Sequence, residues 1–231
     1  MTGPALAQFA SPGWQSRPEP VLLPSGIPGI QLPRGSLTEI YGQASSGRTS
    51  LLVSILAEAT SRQEICALVD SEDAFDPSSA AEAGVALDRL IWVRSAHNAE
   101  HALKATDLLI QGGGFGLVAF DLGDTPPQTT RRISMTSWFR LRRAVEHTPT
   151  VLIALGLQPN AKTCASLLVE CRRERTAWSE AVLAPNTESP LGATSAQTIG
   201  GPGRLLRGIA VRAISTHRSK VCSPAFTAQA I

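Results

Sequence analysis

Nine consecutive residues hold the densest chemical signal in the sequence: Gly42, Gln43, Ala44, Ser45, Ser46, Gly47, Arg48, Thr49 and Ser50. A glycine-rich turn between a strand and a helix converges backbone N–H groups on one point, and the helix N-terminus adds its positive end, so the turn suits an anion. The spacing is that of the phosphate loop GxxxxGK[ST], where Lys reaches the outer phosphates and the Ser/Thr hydroxyl binds magnesium. Arg48 stands in the lysine position. A guanidinium keeps the charge, but its planar fork is larger than an ammonium and aims its donors differently. The loop therefore predicts phosphate binding and argues against efficient hydrolysis; an ordinary Gly-rich strand–helix turn is the competing reading. Carboxylates follow two apolar runs: Asp121 ends LVAFD, and Asp70 and Glu72 follow ICALV. At the carboxyl edge of a parallel sheet such groups lie where ligands bind, and Asp121 would hold a magnesium shell. Singly, each also reads as a solvated strand end.

The elements that must position these groups alternate. Apolar runs at 37–41, 65–70, 90–93, 117–121 and 151–155 read as strands. Residues 49–61, 98–111 and 134–147 carry helical periodicity, with Ser134 as a cap. Continuous apolar strands separated by helices predict an α/β fold, a mostly parallel sheet covered on both faces. Residues 204–216 read as an edge strand or C-terminal hairpin. Seven of the sixteen prolines fall within residues 1–35, which predicts a proline-rich arm over 1–33 ahead of a core at 34–231. Residues 185–203 have loop composition.

Length and composition narrow the class. A chain of 231 residues, 43% hydrophobic and 17% charged, buries a sizeable core without disulfides. Cys66, Cys164, Cys171 and Cys222 show no CxxC spacing, and no apolar run reaches the roughly 18 residues of a spanning helix. The first residues lack a basic region followed by an apolar stretch, so a cytoplasmic protein away from the membrane is expected. Residues 1–124 hold 7 Lys/Arg against 14 Asp/Glu, and residues 125–231 hold 14 against 5. The basic half either attracts nucleic acid or an acidic protein surface, or neutralises the other half within one fold.

In order and spacing, residues 35–42, the loop, the run CALVDSEDAFDP at 66–77, the run GVALDRL at 84–90 and the run SKVCSPAF at 219–226 resemble the RecA ATPase core. The resemblance covers roughly residues 34–231 and implies a RecA-type fold with ATP and Mg2+ as ligands. It implies that the loop from Gly42 to Ser50 holds the nucleotide, with Thr49 and Asp121 on the metal. Glu72 would activate water wherever hydrolysis persists, Asp76 would face the adenine, and Arg218 and Lys220 would reach a neighbour's nucleotide. Departures accompany it. Arg48 replaces lysine, and Ser79 falls where an aromatic would stack on adenine. The first DNA loop is compressed into 124–133, and the second is nearly absent as residues 157–160 run into 161–163. The family's N-terminal oligomerisation helix and C-terminal domain are not expected, so a relative without the recombinase parts is implied.

Residues 131–144 (RRISMTSWFRLRRA) resemble the ImuA-like group. That resemblance implies an accessory role in damage-induced (SOS) translesion synthesis beside a Y-family polymerase homologue or another mutasome protein, and single-stranded DNA as a further partner. An active DNA-dependent ATPase of homologous recombination and a RecA-like cell-division inhibitor are the alternatives. Read without any family, Met135, Trp138, Phe139, Leu141 and Val145 form an apolar stripe flanked by Arg140, Arg142 and Arg143. With Arg131 and Arg132, this stretch is a candidate partner or DNA contact, or else a helix whose aromatic side is core.

Overall fold

The computed structural model describes residues 21–178, 206–217 and 220–229. The chain opens with a small antiparallel pair, β1 (Leu22–Pro24) and β2 (Gln31–Pro33). The main unit then runs β3 (Ser36–Tyr41), α1 (Arg48–Ser61), β4 (Cys66–Asp70), α2 (Pro77–Glu82), β5 (Leu90–Arg94), α3 (Ala99–Gly112), β6 (Leu117–Asp121), α4 (Pro127–Thr130), α5 (Met135–Val145) and β7 (Val151–Gly156). It finishes with β8 (Leu167–Trp178), β9 (Leu206–His217), β10 (Lys220–Cys222) and β11 (Ala225–Gln229). The nine-stranded sheet has the order β10-β9-β8-β3-β7-β6-β4-β5, with β11 also on β9. Every pairing from β8 through β3 to β5 is parallel, and those of β9 are antiparallel. The expected mostly parallel α/β sheet is what the chain forms.

Burial explains the apolar runs. Every residue of β4 and β7 is buried, because helices cover both sheet faces and neither side of the pleat meets water. Alternate residues therefore enter opposite cores. Leu68 and Ile153 join α1 residues Leu51, Leu52, Ile55 and Leu56 on one face. Val69, Phe120 and Leu152 join Ala102 and Ile110 of α3 and Trp138, Leu141 and Val145 of α5 on the other. Ser134 caps α5 by accepting from the Ser137 N–H at 3.2 Å, and Asn98 caps α3 from the Glu100 and His101 N–H groups.

One boundary differs from the sequence reading. The described part of the proline-rich arm is folded: Leu23, Ile27, Ile30 and Leu32 are buried in the α1-side core, and the Ser54 hydroxyl donates to the Ser25 carbonyl at 2.9 Å. Pro24 and Pro33 end their strands, where a missing N–H breaks no central ladder. Residues 204–216 are expected to form an edge strand or C-terminal hairpin. The chain forms that hairpin: β9 turns back on β10 with Lys220 opposite His217, and β9 also pairs with β8 and β11. The loop expected at 185–203 lies outside the described residues.

Candidate functional site

At the end of β3 the Gly42 N–H donates to the Gly156 carbonyl at 3.2 Å, and the Ser46 N–H closes a turn onto the Gln43 carbonyl at 3.1 Å. Ser45 and Gly47 take left-handed φ values of 57° and 88°. Gly47 is the α1 cap, and no side chain bonds the helix's first N–H groups. Both loop glycines are enforced by neighbours: a Cβ at Gly42 would strike Ser46 Oγ and the Cys171 carbonyl, and one at Gly47 would strike the Val211 side chain. Gln43, Ala44, Ser45 and Thr49 are exposed and Ser50 is half-buried. Ser46 Oγ is buried without a hydrogen-bond partner.

Arg48 is only 4% exposed. Its guanidinium donates to the Gly42 carbonyl at 2.7 Å, to the Gly123 carbonyl at 2.7 Å and to Asp124 Oδ1 at 2.8 Å, while its Nε has no partner. It thus bridges the ends of β3 and β6. Asp121, closing β6, accepts the Gly123 N–H at 2.7 Å. Burial first, then the nearby charges of Asp70 and Asp124, push its carboxyl up to about 7, against the pull of the Gly123 N–H and Arg48.

A cleft of about 590 Å3 opens beside the loop, walled by the 157–159 turn and by Glu170, Cys171, Arg172 and Arg173 of β8. Arg172 is held by Glu170 at 2.7 Å, whereas Arg173 has no ion pair among the described residues. Buried Glu39 pins the far wall by accepting the N–H groups of Asn160 and Ala161. Burial raises its carboxyl above the usual range. Neither Glu39 nor Arg173 emerged from the sequence, because the adjacency of β8 to β3 is a tertiary fact. The approach of β8 to the loop has no local signal.

The strand-end acids divide by role. Asp70 is consumed internally, accepting the N–H groups of Glu72, Asp73 and Phe75 and the Trp92 indole. It orders the turn that carries Glu72. The Glu72 carboxylate accepts the Thr125 hydroxyl at 2.8 Å and meets His97 Nδ1 at 2.9 Å, so both oxygens are engaged. Asp76 caps α2 through the Ser78 and Ser79 N–H groups, and the Ser79 hydroxyl bond first of all lowers its pKa. Ser79, lacking an aromatic face, thus serves Asp76.

On α5, Trp138 is 1% exposed and packs 6.0 Å from the Phe120 ring. This corrects its reading as a partner contact: the helix turns the indole into the sheet-facing core. Phe139, 50% exposed, carries the outward aromatic surface. Arg140 pairs with Asp107 at 3.3 Å and Arg142 with Glu146 at 3.2 Å, while Arg131, Arg132 and Arg143 are exposed. Arg218 lies outside the described residues, and Lys220 opens β10 opposite His217. No group of His, Cys, Asp and Glu suited to a metal occurs among the described residues, and no described helix is long and apolar enough to cross a membrane.

The donors suit a phosphate: an uncapped helix start, an orphaned Ser46 hydroxyl and a buried guanidinium. As arranged, they do not fit a magnesium ion. The strand-end carboxylate already accepts an N–H and lies beside the tethered guanidinium of Arg48.

Residues 21–125 match the RecA N-terminal domain. Over that segment the chain is similar to RecA. Protein RecA of Rickettsia canadensis is 42% identical over 96 residues, which are 42% of this chain and 27% of that protein. RecA of Chloroflexus aurantiacus is 33% identical over 145 residues, 57% of this chain and 40% of its own length. RecA of Caulobacter vibrioides is 34% identical over 139 residues, 54% and 39% of the respective chains. The chain thus aligns with well under half the length of these RecA proteins. The matched RecA segment contains the loop, Glu72, Asp76, Asp121 and Asp124, whereas α5 and the β8 wall with Arg173 lie beyond it.

Proposed function

We propose that this RecA relative binds ATP weakly, hydrolyses it little, and acts in the cytoplasm through protein contacts in damage-induced translesion DNA synthesis. The observation that carries the reading is Arg48, whose guanidinium is spent on the Gly42 and Gly123 carbonyls and Asp124 rather than aimed into the cleft. Glu72 adds to it, since both its oxygens are already engaged, by Thr125 and His97, and water would have to compete with them. The accessory role draws on the resemblance of residues 131–144 and on the exposed Phe139 and Arg143 beside them. The partner is a Y-family polymerase homologue or another protein of that assembly, with single-stranded DNA as a secondary contact of the exposed arginines.

The test measures ATP turnover by the full chain with and without single-stranded DNA. Turnover at or below about 10⁻³ s⁻¹ is expected, against 1–10³ s⁻¹ for ordinary enzymes. DNA-stimulated turnover in the ordinary range would establish the second reading, a DNA-dependent ATPase, which the presence of Thr49, Glu72 and Asp121 at the same sheet edge favours.

A further inference from the structure

We infer that the loop takes a nucleoside polyphosphate without a divalent cation, Arg48 being the resident counter-charge that exchanges the Asp124 carboxylate for a phosphate oxygen. This rests on the nucleotide-site reading above and specifies its ligand chemistry. Two of the three Arg48 contacts are to backbone carbonyls, Gly42 at the end of β3 and Gly123 after β6, and these fix the guanidinium in place. The third acceptor is exchangeable, because the Asp124 side chain is 61% exposed while that of Arg48 is 5% exposed. A carboxylate and a phosphate oxygen are equivalent acceptors for a charged N–H, so a phosphate seated at the start of α1 competes for the same bond.

Three donors wait beside that bond. Among the described residues, Arg48 Nε and Ser46 Oγ are buried and unpartnered, and the first N–H groups of α1 carry no side-chain cap. Arg173 supplies a second cation on the cleft wall, with no ion pair among the described residues. The guanidinium lies close to the strand-end acid: a Cβ at Gly123 would lie 2.9 Å from Asp121 Oδ1 and 3.1 Å from Arg48 Nε. A dication brought to Asp121 would face a guanidinium that two carbonyls prevent from withdrawing, so like charges would oppose it. Arg48 already supplies, beside Asp121, the positive charge that magnesium would bring.

Calorimetric titration of the full chain with ATP tests this, in excess EDTA and in millimolar Mg2+, for the wild type and Asp124→Asn. The expected wild-type affinity in EDTA lies within about threefold of that in Mg2+, and Asp124→Asn binds about tenfold tighter in both, as loss of one competing charged acceptor would give. Tightening of the wild type by Mg2+ of about tenfold or more overturns the metal-free binding, a comparison that needs no variant. Equal or weaker binding by Asp124→Asn overturns the exchange. ATP binding that requires Mg2+ leaves the nucleotide site standing and removes only this inference, whereas no binding by either protein in either buffer removes the nucleotide site itself.

Discussion

A phosphate-loop cation aimed at a ligand contributes little to the stability of the free protein, whereas one tied into the fold contributes much, and Arg48→Ala separates the two. The substitution removes two charge-assisted bonds to buried carbonyls, Gly42 and Gly123, and one to Asp124. Bonds to charged groups are worth about 1.5–3 kcal/mol each, and water admitted to the emptied space restores part of that. The Asp124 pair adds little, because its carboxylate is largely in solvent. A loss of about 3 kcal/mol is expected, which for a chain of this size lowers Tm by roughly 6–12 °C. Arg48→Lys keeps the charge but not the fork and falls between the two, while Asp124→Asn costs under about 1 kcal/mol. Urea unfolding of the ligand-free proteins, with m-values compared, provides the measurement. A loss below about 1 kcal/mol for Arg48→Ala would refute the reasoning, because the guanidinium would then not tie β3 to β6.

On α5, Trp138→Ala is expected to cost about 3–5 kcal/mol of stability, as for other buried aromatics. Phe139→Ala should leave urea unfolding nearly unchanged yet weaken capture of a polymerase-homologue partner by about 2 kcal/mol; full capture by that variant would remove Phe139 as an anchor. Asp121, with its carboxyl raised from 3.8 to about 7, binds its proton more tightly folded than unfolded, so its contribution favours folding at low pH and is lost as pH rises through that window. Asp121→Asn should therefore stabilise the protein increasingly from about pH 4 to 7 and then level off, and a pH-independent difference in unfolding free energy would contradict this. Cys222 is exposed, while burial first of all pushes the Cys66 and Cys171 thiols up to about 12, so a thiol reagent should modify Cys222 rapidly and those two only on unfolding.

The sheet was legible because its strands are buried on both faces: runs such as LVAFD and VLIAL can be little else between amphipathic helices. The loop was legible because its glycines, hydroxyls and cation are contiguous. What the loop's cation does was not, because its partners Gly123 and Asp124 lie more than seventy residues away and meet it only when β6 ends near β3. Trp138 shows the same limit: an apolar stripe with Phe139 one position on does not say which ring faces the sheet. The proline-rich arm misled because proline forbids only inner ladder positions, and β1 and β2 have none.

The conformation of the glycine-rich loop is set by its neighbours. Val211 fills the space against Gly47, the Cys171 carbonyl abuts Gly42, and Arg48 ties the loop to the turn after Asp121. A loop fixed by its neighbours loses little further freedom on binding, which favours affinity but leaves little structural change to transmit. The opposite wall is equally fixed, since Glu39 grips the Asn160 and Ala161 N–H groups from within the core. A ligand can relay its presence only through an element with two arrangements, and the contact of Arg48 with the exposed Asp124 is an exchangeable one. Asp124 begins the segment that leads through α4 to Arg131, Arg132 and α5. Release of Asp124 by a bound phosphate is therefore the route by which this site would reach the exposed basic surface, and the Asp124→Asn protein should present that surface in its released form without ligand.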